Sequence, residues 1–149
     1  MSKISSKLRN FGAVFASVLA AAVALPGAAY AAHLPAEHRL NGGVGYVSGG
    51  IGDDEALRFK AAAKDFPLVI ELFRHDGKRD DYTADARVTI SDANGHVVLN
   101  EQADGPFMLV RLPAGRYTVS SSLDGRTLPA QHVNVAATGS TRSVFVFPG

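Results

Sequence analysis

Gly105-Pro-Phe-Met-Leu-Val-Arg-Leu-Pro-Ala-Gly-Arg-Tyr-Thr-Val119 decides the fold. Pro113 fixes φ and Gly115 can supply a positive φ, so the spacing predicts a strand, a Pro-Ala-Gly turn and a second strand. Phe107, Leu109 and Leu112 then face Tyr117 and Val119, as in the hairpin of a β-sandwich. Strand patterns continue on both sides. An apolar run at 68–74 ends at an Asp76-Gly77 turn, and 78–82 reads as a charged loop. Val88 and Ile90 alternate with Arg87, Thr89 and Ser91, the period of a half-buried strand. Asn94-Gly95 is expected as a two-residue type I′ turn into 96–100, because both residues tolerate positive φ. Strands are expected at 107–112 and 116–123, around 133–135 after an Asp124-Gly125 turn, and at 141–147. The expectation is an all-β chain, a seven-stranded antiparallel β-sandwich.

Upstream of the strands the composition changes twice. Asp53, Asp54 and Glu55 suit the positive end of a helix dipole, and Lys60 and Lys64 its negative end, which predicts one short N-terminal helix over 53–64. Gly52 or Asp53 caps it, Leu57 and Ala61 form its buried face, and Phe66-Pro67 stops it. Residues 32–50 contain Gly42, Gly43, Gly45, Gly49 and Gly50 with few large apolar groups, so a flexible Gly-rich arm is expected there. Residues 1–31 read as a signal peptide. Lys3, Lys7 and Arg9 precede a 15-residue apolar run at 11–25, and Pro26-Gly27 leads to Ala29-Tyr30-Ala31, an A-x-A cleavage site. That run is shorter than the ~20 residues of a membrane-spanning helix. Cleavage after Ala31 leaves residues 32–149, with 51–149 as the sandwich domain and its helix, and no integral membrane segment.

Removing Lys3, Lys7 and Arg9 changes the charge balance from 15 basic against 14 acidic residues to 12 against 14, a net −2. With no basic run, the mature chain has no electrostatic footprint for nucleic acid. It has no cysteine, which excludes lipoprotein anchoring and disulfides. A periplasmic or secreted location follows from the leader.

Residues 85–147 resemble the carboxypeptidase regulatory-like, transthyretin-like domain family. The resemblance rests on Asp85-Ala-Arg-Val-Thr-Ile90, on Asp92-Ala-Asn-Gly95, on Leu112-Pro-Ala-Gly-Arg-Tyr-Thr-Val119, and on Asp124-Gly125 with Val144-Phe-Val-Phe147. It covers roughly half of the mature chain and implies a transthyretin- or Ig-like sandwich whose role is accessory, positioning or binding. Two departures stand out. Asn100-Glu-Gln-Ala-Asp-Gly-Pro-Phe107 replaces the family's T-D-x-x-G-x-F turn, with Pro106 at a middle position. The front end Tyr46-Val-Ser-Gly-Gly-Ile-Gly-Asp-Asp-Glu55 is absent from the generic module. It resembles front ends of small exported bacterial proteins, which bring no activity with them.

No catalytic, cofactor-binding or metal-binding set emerges. His33, His38, His75, His96 and His132 show no i, i+4 helical pair, and structural or catalytic zinc needs three or four convergent ligands. Asp53-Asp54-Glu55 lacks the alternating spacing of a calcium loop. Ser120-Ser121-Ser122 has no nucleophile elbow and reads as strand surface. Gly49-Gly50-x-Gly52 precedes a helix as a phosphate turn does, but three carboxylates at that helix end repel phosphate. A docking segment is the competing reading of the same front end. The functional expectation is a non-catalytic exported accessory or binding module of the bacterial envelope, with an envelope protein as partner. The alternative is a periplasmic carbohydrate- or peptide-binding protein, which the lack of tryptophan disfavours for sugars.

Overall fold

The computed structural model describes residues 34–149, so the expected leader and its cleavage site lie outside the described residues. The chain runs β1 His38–Arg39, β2 Gly45–Gly49, α1 Asp53–Ala62, β3 Leu68–Asp76, β4 Arg79–Tyr82, β5 Arg87–Asp92, β6 Val97–Gln102, β7 Phe107–Arg111, β8 Gly115–Leu123, β9 Arg126–Thr127, β10 Gln131–Val135 and β11 Thr141–Pro148. One sheet has the order β1-β2-β7-β3-β11 with β4 also on β3; the other has the order β10-β8-β5-β6 with β9 also on β8.

Side-chain periodicity explains which strands lie where. In β8, Tyr117, Val119, Ser121 and Leu123 are buried while their neighbours are more open, and in β11 Ser143, Phe145 and Phe147 alternate with exposed Arg142, Val144 and Val146. Such alternation suits a sheet with one wet face. In β3 and β7, by contrast, Leu68 to Leu72 and Phe107 to Val110 are buried without interruption, because at these strands both faces of the sheet are covered. Leu68, Ile70, Leu72, Met108, Val110, Phe145 and Phe147 meet Val88, Ile90, Leu99, Tyr117, Val119 and Val133 in one core between the sheets. On the opposite face Val47, Val69, Phe107 and Leu109 pack against Ala56, Phe59 and Ala62 of α1. The result is a predominantly β fold of two sheets about a common core, with a helix as a third layer.

The structure corrects several expectations. Among the described residues there are eleven strands, not seven; β1, β2, β4 and β9 were not anticipated. The sandwich is also not wholly antiparallel, since β11 pairs in parallel with β3 along its entire length. The stretch expected to be a flexible arm contains β2, buried between β1 and β7. Its glycines are there for space: a Cβ at Gly49 would lie 3.0 Å from the Phe59 ring of α1. The helix packs through Ala56, Phe59 and Ala62, not through Leu57, which is 56% exposed. Phe59 is the largest apolar group on α1, and burying it turns Leu57 outward.

The stretch 105–119 is not a hairpin. β7 is paired on both edges, by β2 and β3, so β8 crosses to the other sheet. Pro113 and Ala114 therefore form an arch between layers, held by the Tyr117 hydroxyl donating to the Pro113 carbonyl at 2.7 Å. The Asn94-Gly95 turn is not type I′ either. Only Gly95 has positive φ (82°), its N–H donates to the Asp92 carbonyl at 3.0 Å, and the β5–β6 register shifts at Ile90 and Ser91. This is a type I turn with a glycine bulge. In the turn between β8 and β9, by contrast, both Asp124 (52°) and Gly125 (77°) have positive φ.

Candidate functional site

The site is built by α1 and the chain that leads into it. Gly50 and Gly52 take positive φ (97° and 86°), and a side chain at Gly50 would overlap the Phe107 ring. That turn drops the chain from β2 directly onto the outer face of the sheet. The Glu55 carboxylate accepts the Ile51 N–H at 3.1 Å and fixes the start of the helix.

Between α1 and the segment after β4 lies a cleft of about 560 Å³. Asp53, Leu57 and Lys60 line the helical wall, one above the other at helical spacing, and Tyr82 and Ala84 line the other, with Pro106 between. Ile51 is 63%, Leu57 56% and Tyr82 43% exposed, a concentration of large apolar side chains at one opening. Tyr82 is held rigidly, stacked on Phe73 at 4.9 Å between centroids and tilted against Phe107 at 5.2 Å. The Lys60 ammonium sits 5.3 Å from the Tyr82 ring centroid. Interaction with the Tyr82 hydroxyl, ahead of the charges of Glu71 and Asp53, raises its pKa above the ordinary lysine value. The far wall is tied down by the Thr83 N–H donating to the Leu72 carbonyl at 3.1 Å.

The residues singled out by sequence are dispersed. His38 stacks on Tyr46 at 4.9 Å. His75 lies 2.7 Å from Asp80 across the β3–β4 hairpin, and His96 lies 3.5 Å from Asp92. Both histidines therefore have a carboxylate neighbour that sequence spacing did not suggest. His132 pairs with the Thr118 hydroxyl at 3.2 Å, beside a shallow surface cavity, and His33 lies outside the described residues. Among the described residues, no group of three or more histidines, cysteines or carboxylates is placed to hold a metal ion. Ser121, expected on the strand surface, is buried and donates to the Arg87 carbonyl at 3.1 Å. Asp53, Asp54 and Glu55 occupy the first turn of α1.

Sequence reasoning missed the cleft residues Ile51, Leu57 and Tyr82. The available signal was Leu57, a large apolar residue off the helical stripe that contains Phe59; Tyr82 was hidden in a charged stretch.

Among the described residues no helix is long and apolar enough to cross a membrane. No protein-family model matches the chain, and no curated protein matches it. Among solved structures, the chain is similar to the Bacillus anthracis TIE protein, at 15% identity and a TM-score of 0.40, over 55% of this chain and 16% of that one. It is likewise similar to the major pilin subunit of Bacillus cereus, at 14% identity and a TM-score of 0.39, over 54% of this chain and 30% of that one. The chain thus spans less than a third of the length of either protein.

Proposed function

We propose that this chain is a non-catalytic exported accessory module of the bacterial envelope that binds another protein through the cleft beside α1. The observation that carries the reading is the cleft itself, where Ile51, Leu57 and Tyr82 stay exposed on walls made rigid by Phe73, Phe107 and the buried face of the helix. Apolar side chains gathered at one concavity are characteristic of binding surfaces, whereas scattered ones carry no such meaning. The resemblance of residues 85–147 to carboxypeptidase regulatory-like, transthyretin-like domains supports the same reading, since such domains position or bind. A leader at 1–31 would deliver the mature chain to the periplasm or beyond.

A carbohydrate- or peptide-binding role is the second reading, favoured by the open Tyr82 ring. Lys60 lies over that ring, where a sugar would have to stack, so peptide is the better ligand class of the two.

The experiment is photo-crosslinking in the exporting host, with a photoreactive residue at Leu57 and, as control, at Val97. Val97 is similarly exposed (59%) but lies on the other sheet. A discrete protein adduct at 57 and none at 97 is expected. No adduct, or equal labelling at both positions, overturns the cleft as the binding surface. Fractionation and intact-mass measurement test export separately: a product that retains residues 1–31 in the cytoplasm overturns it.

A further inference from the structure

The cleft beside α1 has opposite charges at its two ends. Asp53, Leu57 and Lys60 follow one another along its helical wall, and seven residues of α-helix separate the two charged groups by about 10 Å along the axis. Asp53 and Lys60 are both exposed, and neither belongs to the ion pairs found among the described residues. The negative end is not cancelled by the helix dipole. The dipole contributes roughly half a positive charge, whereas Asp53, Asp54 and Glu55 bring three carboxylates to the same turn. At the other end, the Lys60 ammonium lies 5.3 Å from the centroid of the Tyr82 ring, at the mouth of the cleft. Leu57 lies between the two charges on the helical wall, and Ile51 and Tyr82 add apolar surface to the same cleft.

We infer that the cleft takes an extended segment of a partner protein in which a basic side chain and an acidic one flank one to three apolar residues. The basic group meets Asp53, the acidic group meets Lys60, and the apolar side chains lie on Leu57 and Tyr82. An extended chain advances about 3.3 Å per residue, so charges two to four positions apart span the available length. This inference rests on the proposed binding function of the cleft and gives that function a specificity. Charge placement of this kind rejects wrong partners more than it raises affinity, because like charges brought face to face repel.

The test is a displayed heptapeptide library selected against the exported protein and against its Lys60→Glu variant, with melting temperature as a check that the variant folds. Lys60 is exposed, so folding is expected to be unaffected. The wild type is expected to enrich peptides with Lys or Arg two to four positions from Asp or Glu and apolar residues between. Lys60→Glu is expected to switch the acidic position to a basic one. It should also weaken the wild-type peptides about 3- to 10-fold, the effect of losing an exposed ion pair and gaining a like-charge contact. Enriched peptides whose charges are indifferent to Lys60→Glu overturn the inference but leave cleft binding in place. No enrichment by the wild type, together with no adduct at position 57, overturns both.

Discussion

Tyr117 does two jobs from one position. Its ring is buried in the core between the sheets, and its hydroxyl closes the arch by donating to the Pro113 carbonyl. Burial, with a smaller contribution from Asp92, raises the pKa of that hydroxyl and keeps it a proton donor. Tyr117→Phe keeps the ring and removes the bond, so a loss of about 1 kcal/mol is expected. Tyr117→Ala empties the site as well and should cost about 3 to 5 kcal/mol. Chemical denaturation of the two variants separates the contributions, and equal losses would mean the ring contributes nothing. Asp92 stabilises a turn in the same local way. Its carboxylate accepts the N–H groups of Asn94 and His96, both at 2.9 Å, and these bonds hold its pKa below the ordinary 3.8, that of His96 contributing most. A depressed carboxyl pKa adds stability above the ordinary value and loses it as pH falls through the folded-state value. Asp92→Asn should therefore melt below wild type at neutral pH, and the gap should close below about pH 4. A gap that persists unchanged in acid would show that the charge is irrelevant.

At the scale of elements, legibility followed the source of each constraint. β8 and β11 were readable because their alternation is written in adjacent residues, Tyr117-Thr-Val119 and Val144-Phe-Val-Phe147. β2 was not, because Gly45-Tyr-Val-Ser-Gly49 is glycine-rich for reasons located elsewhere, in the approach of Phe59 to Gly49 and of Glu37 to Gly45. β4 looked like a loop because Arg79-Asp-Asp81 is charged, yet a short charged strand is a common way to keep an exposed hairpin from pairing with other chains. The cleft was less legible still: Tyr82 becomes part of a site only when β4 folds back on β3 and α1 is laid beside it. Deleting residues 34–48 tests the placement of β2. A disordered arm could be removed at little cost, but here Val44, Tyr46 and Val47 leave the core and one edge of β7 loses its partner. The variant is expected to unfold or to melt far below wild type, and an unchanged melting temperature would remove β2 from the sheet.

At the scale of the whole molecule, the three layers depend on β3. It pairs with β7 and β4 on one side and β11 on the other, and it contributes Leu68, Ile70 and Leu72 to one core and Val69 to the second. Removing residues 141–149 exposes the full length of its far edge and takes Phe145 and Phe147 out of the core. Each phenylalanine is worth about 3 to 5 kcal/mol, against a total of roughly 5 to 15 for a domain. Circular dichroism of the shortened chain is expected to show loss of the cooperative transition, whereas a retained transition would make β11 an accessory strand.

The parallel pairing of β3 with β11 also sets a timetable. Thr141 meets Leu68 and Pro148 meets His75, so every pair in that ladder closes a loop of 73 positions. Contacts this far apart in sequence slow folding, because the entropy of loop closure is lost before any contact rewards it. During synthesis or threading that begins at residue 1, β3 emerges long before β11 exists, and its apolar edge waits unpaired until residue 148 is free. The molecule is thus a late folder by construction, most open to chaperones and to aggregation in the interval between the appearance of those two strands.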